Sequence, residues 1–378
     1  VAPSVLLDHP LYPPPPAPDP YTAEWIADTI QDSAAYSERK LRKLGLDGLL
    51  SGPGKVPTAQ IEDALRKLGY ADQQRMVQAA GELRLHRLWE AQRDTYEPHP
   101  AMTAKLMELK SDVKIPGAVL TRLPHINPMF LLPGAPELVH ADGLPGRIIA
   151  VTVTGVVSPR YPYVGQMRAA METGQGIPVD THDPEANAYR VVVHSTVLTA
   201  DNRVQDLDAV QFSVPLSGEF TIDELVEVIV DKTFAWAPDV RLRRTDDDTR
   251  RTYMTTCARA AVAHLLYACS RSAEVDAKPR AIRPPAAKGK PRRPKSPRVR
   301  RLGWVTGSVI ADHIRRPPAA AQLGPGTGKK VRPHVRGAHL HLYRVGPGRQ
   351  EIDIHWLAPI PVNAAKDDGR TITNHPMR

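Results

Sequence analysis

Cysteine is nearly missing: the 378 residues contain two, Cys257 and Cys269. That excludes a disulfide-stapled scaffold and any zinc domain built on several cysteines, and it suits a reducing cytosol. Aromatic residues are scarce as well, at 5%, with four Phe and five Trp. No apolar run approaches the roughly 20 residues of a membrane-spanning helix. Val1 to Asp8 holds no basic residue, so a secretory leader is not expected. The expectation is a protein of the bacterial cytoplasm with no membrane partner. Proline, by contrast, is plentiful at 38, so much of the chain must run as turns or extended segments.

The charge is uneven. Lys and Arg number 50 against 41 Asp and Glu, a net +9. Eleven of the basic residues, and no acid, fall between Lys278 and Arg301, which leaves 39 against 41 for the rest. One segment therefore carries the basicity of an otherwise near-neutral chain. Its Lys288, Lys290, Arg292, Arg293, Lys295, Arg298, Arg300 and Arg301 are candidates for electrostatic capture of nucleic acid through phosphate neutralisation. The segment has no aromatic on which a base could stack, which points away from sequence reading.

Periodicity divides the chain. Residues 1–20, with Pro13 to Pro16, Pro18 and Pro20, read as a stiff Pro-rich tail. Residues 21–112 read as a helical region of four short helices: Trp25, Ile26 and Ile30 lie on the first, Ile61, Leu65 and Leu68 on the second, Met76, Ala79 and Leu83 on the third, and 101–110 form the fourth. Residues 113–276 read as an α/β core, with strands over 148–157, 189–198 and 210–214. Thr221-Ile-Asp-Glu224 is a capping box opening one helix, and 249–271 form a longer helix. Cys257 and Cys269 on that helix stand about 18 Å apart by the helical rise, too far to bridge. Residues 277–301 read as a basic disordered linker, 302–363 as a β region completing the core, and 364–378 as a tail. The predicted fold class is α/β (α+β): an N-terminal helical region and a mixed, largely antiparallel sheet completed by a C-terminal hairpin.

Two motifs fail on inspection. Gly324-Pro-Gly-Thr-Gly-Lys-Lys330 has three residues where a phosphate loop needs four, and Lys330 where it needs Ser or Thr. Asp180-Thr-His-Asp183 has metal-ligating residue types but reads as a turn before Pro184 without further partners. The last hairpin is more informative. His339-Leu-His-Leu-Tyr-Arg-Val345 and Glu351-Ile-Asp-Ile-His-Trp-Leu357 both alternate about a Gly-Pro-Gly turn. Keeping the apolar residues on one face selects a three- or five-residue loop, which pairs Tyr343 with Glu351, His341 with Asp353 and His339 with His355. One face is then core, with Trp356 and, nearby, Trp304 as expected buried anchors. The other face offers His339, His341, Asp353 and His355 as candidate acid–base groups, with Tyr343 beside them. Just upstream, Arg332, His334 and Arg336 join His339, His341 and Tyr343 as candidate binding residues for an acidic partner or a phosphate. No metal or cofactor is expected.

Three stretches together resemble a known family. They are Pro124-His-Ile-Asn-Pro-Met-Phe-Leu-Leu-Pro133 running to the strand at 148–157, Leu302-Gly-Trp-Val-Thr-Gly307, and Arg332 to Tyr343 with His355 to Asn363. In content and order they are similar to the plasmid- and phage-encoded type V-A anti-CRISPR family that lowers production of the type V-A effector nuclease. The resemblance implies a mobile-element protein acting at translation and message level, whose partners are the nascent nuclease peptide, the RNA or the ribosome. The function expected is a non-enzymatic regulator of this kind. An RNA-cleaving or RNA-processing enzyme using the hairpin face, and a phage or plasmid DNA-binding protein using the basic segment, are the alternatives.

Overall fold

The computed structural model describes residues 22–46, 63, 66–68, 70–109, 113–140, 143–154, 188–198, 204–236, 247–281, 297–315, 334–336, 339–349, 351–357 and 360–362. Its centre is a mixed sheet. The β-branched runs form long antiparallel neighbours, β5 (Pro145–Thr154), β6 (Ala188–Leu198) and β7 (Val204–Pro215). Short strands extend the sheet on the other side: β3 (Met129–Leu131), β1 (Asp94–Pro98), β10 (Arg298–Leu302) and β9 (Arg280–Ala281), with β4 (Glu137–Val139) beside β5. The order is β7-β6-β5-β3-β1-β10-β9, and only the β3-β1 and β1-β10 pairs are parallel. The expected α/β class and largely antiparallel sheet are present.

Strand alternation sends successive side chains to opposite layers. Met129, Leu131, Ile149 and Val299 meet Ile26, Ala27 and Ile30 of α1 (Ala23–Lys43) and Trp89 of α2 (Tyr70–Gln92). Phe130, Val151, Val191, Val193 and Val214 face the other way, into the larger core. That core holds α3 (Pro100–Met107), α4 (Ile222–Trp236) and α5 (Asp247–Cys269). Fourteen residues of α5 are buried, and every position from Ala260 to Cys269 is among them, so the C-terminal half of this helix is covered all round. Cys257 and Cys269 lie within it as buried free thiols.

The capping box forms as its spacing requires. The Thr221 backbone N–H donates to Glu224 Oε2 at 2.8 Å, and the Glu224 N–H donates to Thr221 Oγ1 at 3.2 Å. The hydrogen bond from Thr221 is the leading reason that the Glu224 carboxyl is held below its ordinary pKa. Thr221→Ala is expected to cost about 1 kcal/mol of unfolding free energy, read from urea denaturation with an unchanged m value.

Three expectations are corrected. Asp94–Pro98, assigned to the helical region 21–112, is a strand in the middle of the sheet, and α1 packs on that sheet. Residues 277–301 are not a disordered linker throughout. Arg280–Ala281 and Arg298–Leu302 are strands, and β10 pairs with β1 from Asp94↔Arg298 to Pro98↔Leu302. Long-range pairing with β1 supplies the order that the local composition does not. Finally, the hairpin of β12 (His339–Val345) and β13 (Glu351–Leu357) does not enter the large sheet. It is a two-stranded sheet of its own, as are β11 (His334–Arg336) with β14 (Ile360–Val362), and β2 (Ile115–Pro116) with β8 (Glu219–Phe220). The C-terminal part reaches the large sheet through β10 instead.

After β10 comes α6 (Trp304–Arg315). Glu274 holds its start, accepting from the N–H groups of Val305 and Thr306 at 3.0 and 3.1 Å. A carboxylate there meets the exposed N–H groups and the positive end of the helix dipole. Trp304 is half-buried rather than the buried anchor expected. Its indole N–H donates to the Glu97 carbonyl at 2.9 Å, and the Arg301 guanidinium covers the ring at 4.3 Å. No helix among the described residues is long and apolar enough to cross a membrane.

Candidate functional site

The hairpin is fastened by its apolar face. Leu340, Ile354 and Trp356 are buried, and the Trp356 ring meets Tyr267 of α5 edge-on, with centroids 5.5 Å apart. The turn after α5 continues the attachment. The Arg271 N–H donates to the Ile354 carbonyl, and Ser272 Oγ both donates to the Trp356 carbonyl and accepts from its N–H.

The face assignment made from alternation holds, and the residue pairing does not. The observed partners are His339↔Leu357, His341↔His355, Tyr343↔Asp353 and Val345↔Glu351. This differs from the expected pairing by two residues, and an even slip keeps every side chain on its face. The cause lies in the turn. Gly346, Gly348 and Arg349 all have positive φ, at 77°, 66° and 56°, so the left-handed backbone extends through Arg349 and delays pairing until Glu351.

The outward face brings together four of the residues singled out by the sequence, His341, Tyr343, Asp353 and His355. His341 stands directly opposite His355, and Tyr343 packs between them, with ring centroids 4.4 Å from His341 and 4.8 Å from His355. Both His341 and Tyr343 are exposed. Asp353 is 6% exposed, and such a carboxylate needs compensation. Arg271 Nη1 donates to its Oδ2 at 2.7 Å and Arg122 Nη1 to its Oδ1 at 3.3 Å, while His355 Nε2 lies 3.7 Å away. Arg122 Nη2 also donates to the Ile352 carbonyl at 2.6 Å. The hydrogen bond and charge of Asp353 raise the Arg271 pKa further, so this guanidinium stays protonated. Two guanidinium groups on one carboxylate leave a positive surplus.

Beside this cluster, Arg122, Cys269, Arg271, Val345 and Asp353 line a shallow cleft of about 360 Å³. Cys269 is not a nucleophile there: burial pushes its thiol pKa up, and the thiol donates to the Leu120 carbonyl. Among the described residues, no three His, Cys, Asp or Glu side chains group in a way that could hold a metal ion.

Arg122 and Arg271 were missed by the sequence reading. Each meets Asp353 only through the fold, across 231 and 82 residues, and no local pattern marks either. His339 lies further along β12, opposite Leu357 rather than His355. His334 and Arg336 pair in β11 with Val362 and Ile360. Arg332, Lys288, Lys290, Arg292, Arg293 and Lys295 lie outside the described residues, as do the motifs at 180–183 and 324–330.

Three of the proposed electrostatic residues are engaged by the protein itself. Arg298 donates to the Gln92 carbonyl and to Asp94, Arg300 donates to the carbonyls of Asp276 and Ala277, and Arg301 lies over Trp304. Their strand positions fix them as parts of the sheet margin, which corrects their reading as arms of a disordered polycation.

The sequence model of the AcrVA2-like family, described as the anti-CRISPR type V subtype A2 family, matches residues 96–364. That span runs from within β1 to just beyond β14 and contains the whole hairpin. No curated protein matches the chain. Among solved structures, one described as the crystal structure of AcrVA2 is 15% identical, with a TM-score of 0.44, and the match covers 91% of this chain and 99% of that one.

Proposed function

The chain belongs to the AcrVA2-like anti-CRISPR type V subtype A2 family, and from that premise we propose that it lowers production of a type V-A effector nuclease by binding the nascent peptide, its message or the translation machinery. The observation that carries this reading is the family match itself, which includes both the sheet and the hairpin. The hairpin supports it physically. A rigid strand pair anchored through Trp356 presents exposed rings and fixed guanidinium groups, which suits recognition of a partner.

Co-expression in a bacterium carrying such a nuclease tests the proposal. Nuclease protein and message should both fall when the chain is present. Recoding the message with synonymous codons should leave the effect intact if the peptide is read, and remove it if the message is read. Unchanged nuclease levels alongside blocked interference would overturn the proposal in favour of direct inhibition of the finished enzyme.

RNA cleavage by the same face is a second reading, favoured by His341 standing opposite His355 with two arginines close by. Turnover of RNA by the purified protein, lost in His341→Ala, would select it. The DNA-binding reading loses support because Arg298, Arg300 and Arg301 are tied to the sheet.

A further inference from the structure

We propose that the outward face of the hairpin binds a single-stranded polynucleotide, with bases stacked on Tyr343 and His341 and phosphates held against Arg271 and Arg122. The inference gives the regulatory reading a ligand chemistry and rests on that reading for its biological setting.

Tyr343 carries the argument. It is 42% exposed in a chain where aromatics make up only 5% of residues; Tyr36 on α1 is exposed too, but Tyr343 stands beside two further rings and two guanidinium groups. Its neighbours are rings as well. His341, Tyr343 and His355 form one contiguous surface with centroid spacings of 4.4 and 4.8 Å.

Charge supplies the second half. Asp353 is buried and spent on the two arginines, so it orients their guanidinium planes without cancelling both charges. The Arg271 side chain remains 67% exposed. Its one hydrogen bond to Asp353 leaves further N–H donors for a phosphate oxygen. An acidic peptide would satisfy the arginines and leave the rings unused. A duplex hides its base faces in the stack and offers only phosphates. A single strand uses both halves of the surface.

The test uses the full-length protein and fluorescein-labelled 12-mers: oligo(U), oligo(dT), an RNA duplex and an Asp/Glu-rich peptide. Anisotropy titrations should show preference for a single strand over the duplex, and the oligo(U) and oligo(dT) arms identify which polynucleotide is taken. Tyr343→Ala should weaken single-strand binding about tenfold, and Tyr343→Phe should keep most of it, because stacking needs the ring and not the hydroxyl. Arg271→Ala should reduce the slope of log affinity against log salt by about one. Thermal melts of Tyr343→Ala and Tyr343→Phe should match the parent, since the side chain is exposed.

Single-strand affinity indifferent to Tyr343→Ala would overturn the inference. So would equal binding of the duplex, or Tyr343-dependent binding of the acidic peptide that exceeds that of both strands. Any of these three results would leave the fall in nuclease production untouched, so the regulatory proposal and this one fail separately.

Discussion

Trp356→Ala should lower the unfolding free energy by about 3–5 kcal/mol, the cost of emptying a large, tightly packed core site. Trp356 is 3% exposed, and it lies against Tyr267 with Leu340 directly across the strand pair. The hairpin pairs with no strand of the large sheet, so this side chain is a main tie between it and α5. One detail sharpens the expectation. The indole Nε1 is buried without a hydrogen-bond partner, and such a donor costs about 1–3 kcal/mol of desolvation. Trp356→Phe keeps much of the apolar contact and removes the orphaned donor, so it should lose less than half as much as Trp356→Ala. Urea denaturation of the three proteins measures both effects. A loss under about 1 kcal/mol for Trp356→Ala would mean that the hairpin is not anchored through this ring.

The legibility of this fold follows the range of the interactions. Local patterns were readable. The β-branched run read over 148–157, whose last three residues lie outside the described ones, the alternation of His339–Val345 and the Thr221–Glu224 box each produced the element they imply, because each rests on neighbours within a few residues. The long helix Asp247–Cys269 was also legible, though its apolar residues do not reveal that its C-terminal half is covered on all sides. Strand β1 was not readable. Asp94-Thr-Tyr-Glu-Pro98 has neither alternation nor a β-branched run, and it becomes a strand by lying between β3 and β10. β10 is the same case, since an Arg-rich stretch looks disordered until β1 pairs with it.

The site divides along the same line. His341, Tyr343, Asp353 and His355 were assigned to one face correctly because parity is local. Their pairing depended on how far the left-handed turn runs, which Arg349 decides with φ 56° and glycine content does not. The two arginines that complete the site are the last residue of the short 3-10 helix Gly117–Arg122 and a residue of the turn after α5, where nothing in the neighbouring residues refers to Asp353.

Acid should weaken this protein before most of its carboxylates protonate. Three histidines are held neutral by burial: His86 with its pKa pushed down to about 4, His264 to about 4 and His194 to about 3. His264 lies wholly within α5, donating Nδ1–H to the Ala260 carbonyl at 2.6 Å, and its Nε2 is buried without a partner. His86 Nδ1 is likewise buried without a partner, and His86 packs against Trp89. Desolvation is the leading cause in all three. The unfolded chain takes up a proton at each site near pH 6.5, and the folded chain does not until near pH 4 or below. The unfolded state therefore binds more protons between these values, and stability falls as pH falls. The contribution is complete above about pH 6.5 and is lost progressively towards pH 4. At pH 5 the gap for His86 and His264 is about 1.5 pH units, or about 2 kcal/mol each, with His194 acting in the same direction. A combined loss of about 4 kcal/mol or more is a large share of the 5–15 kcal/mol typical of a folded domain. Urea midpoints at pH 7, 6 and 5 should fall steeply, and His264→Gln, which cannot take up that proton, should flatten the fall between pH 6.5 and 5. A midpoint that stays level over that range would show that these imidazoles are solvated or protonated in the folded state, and that the core around α5 is more open than described.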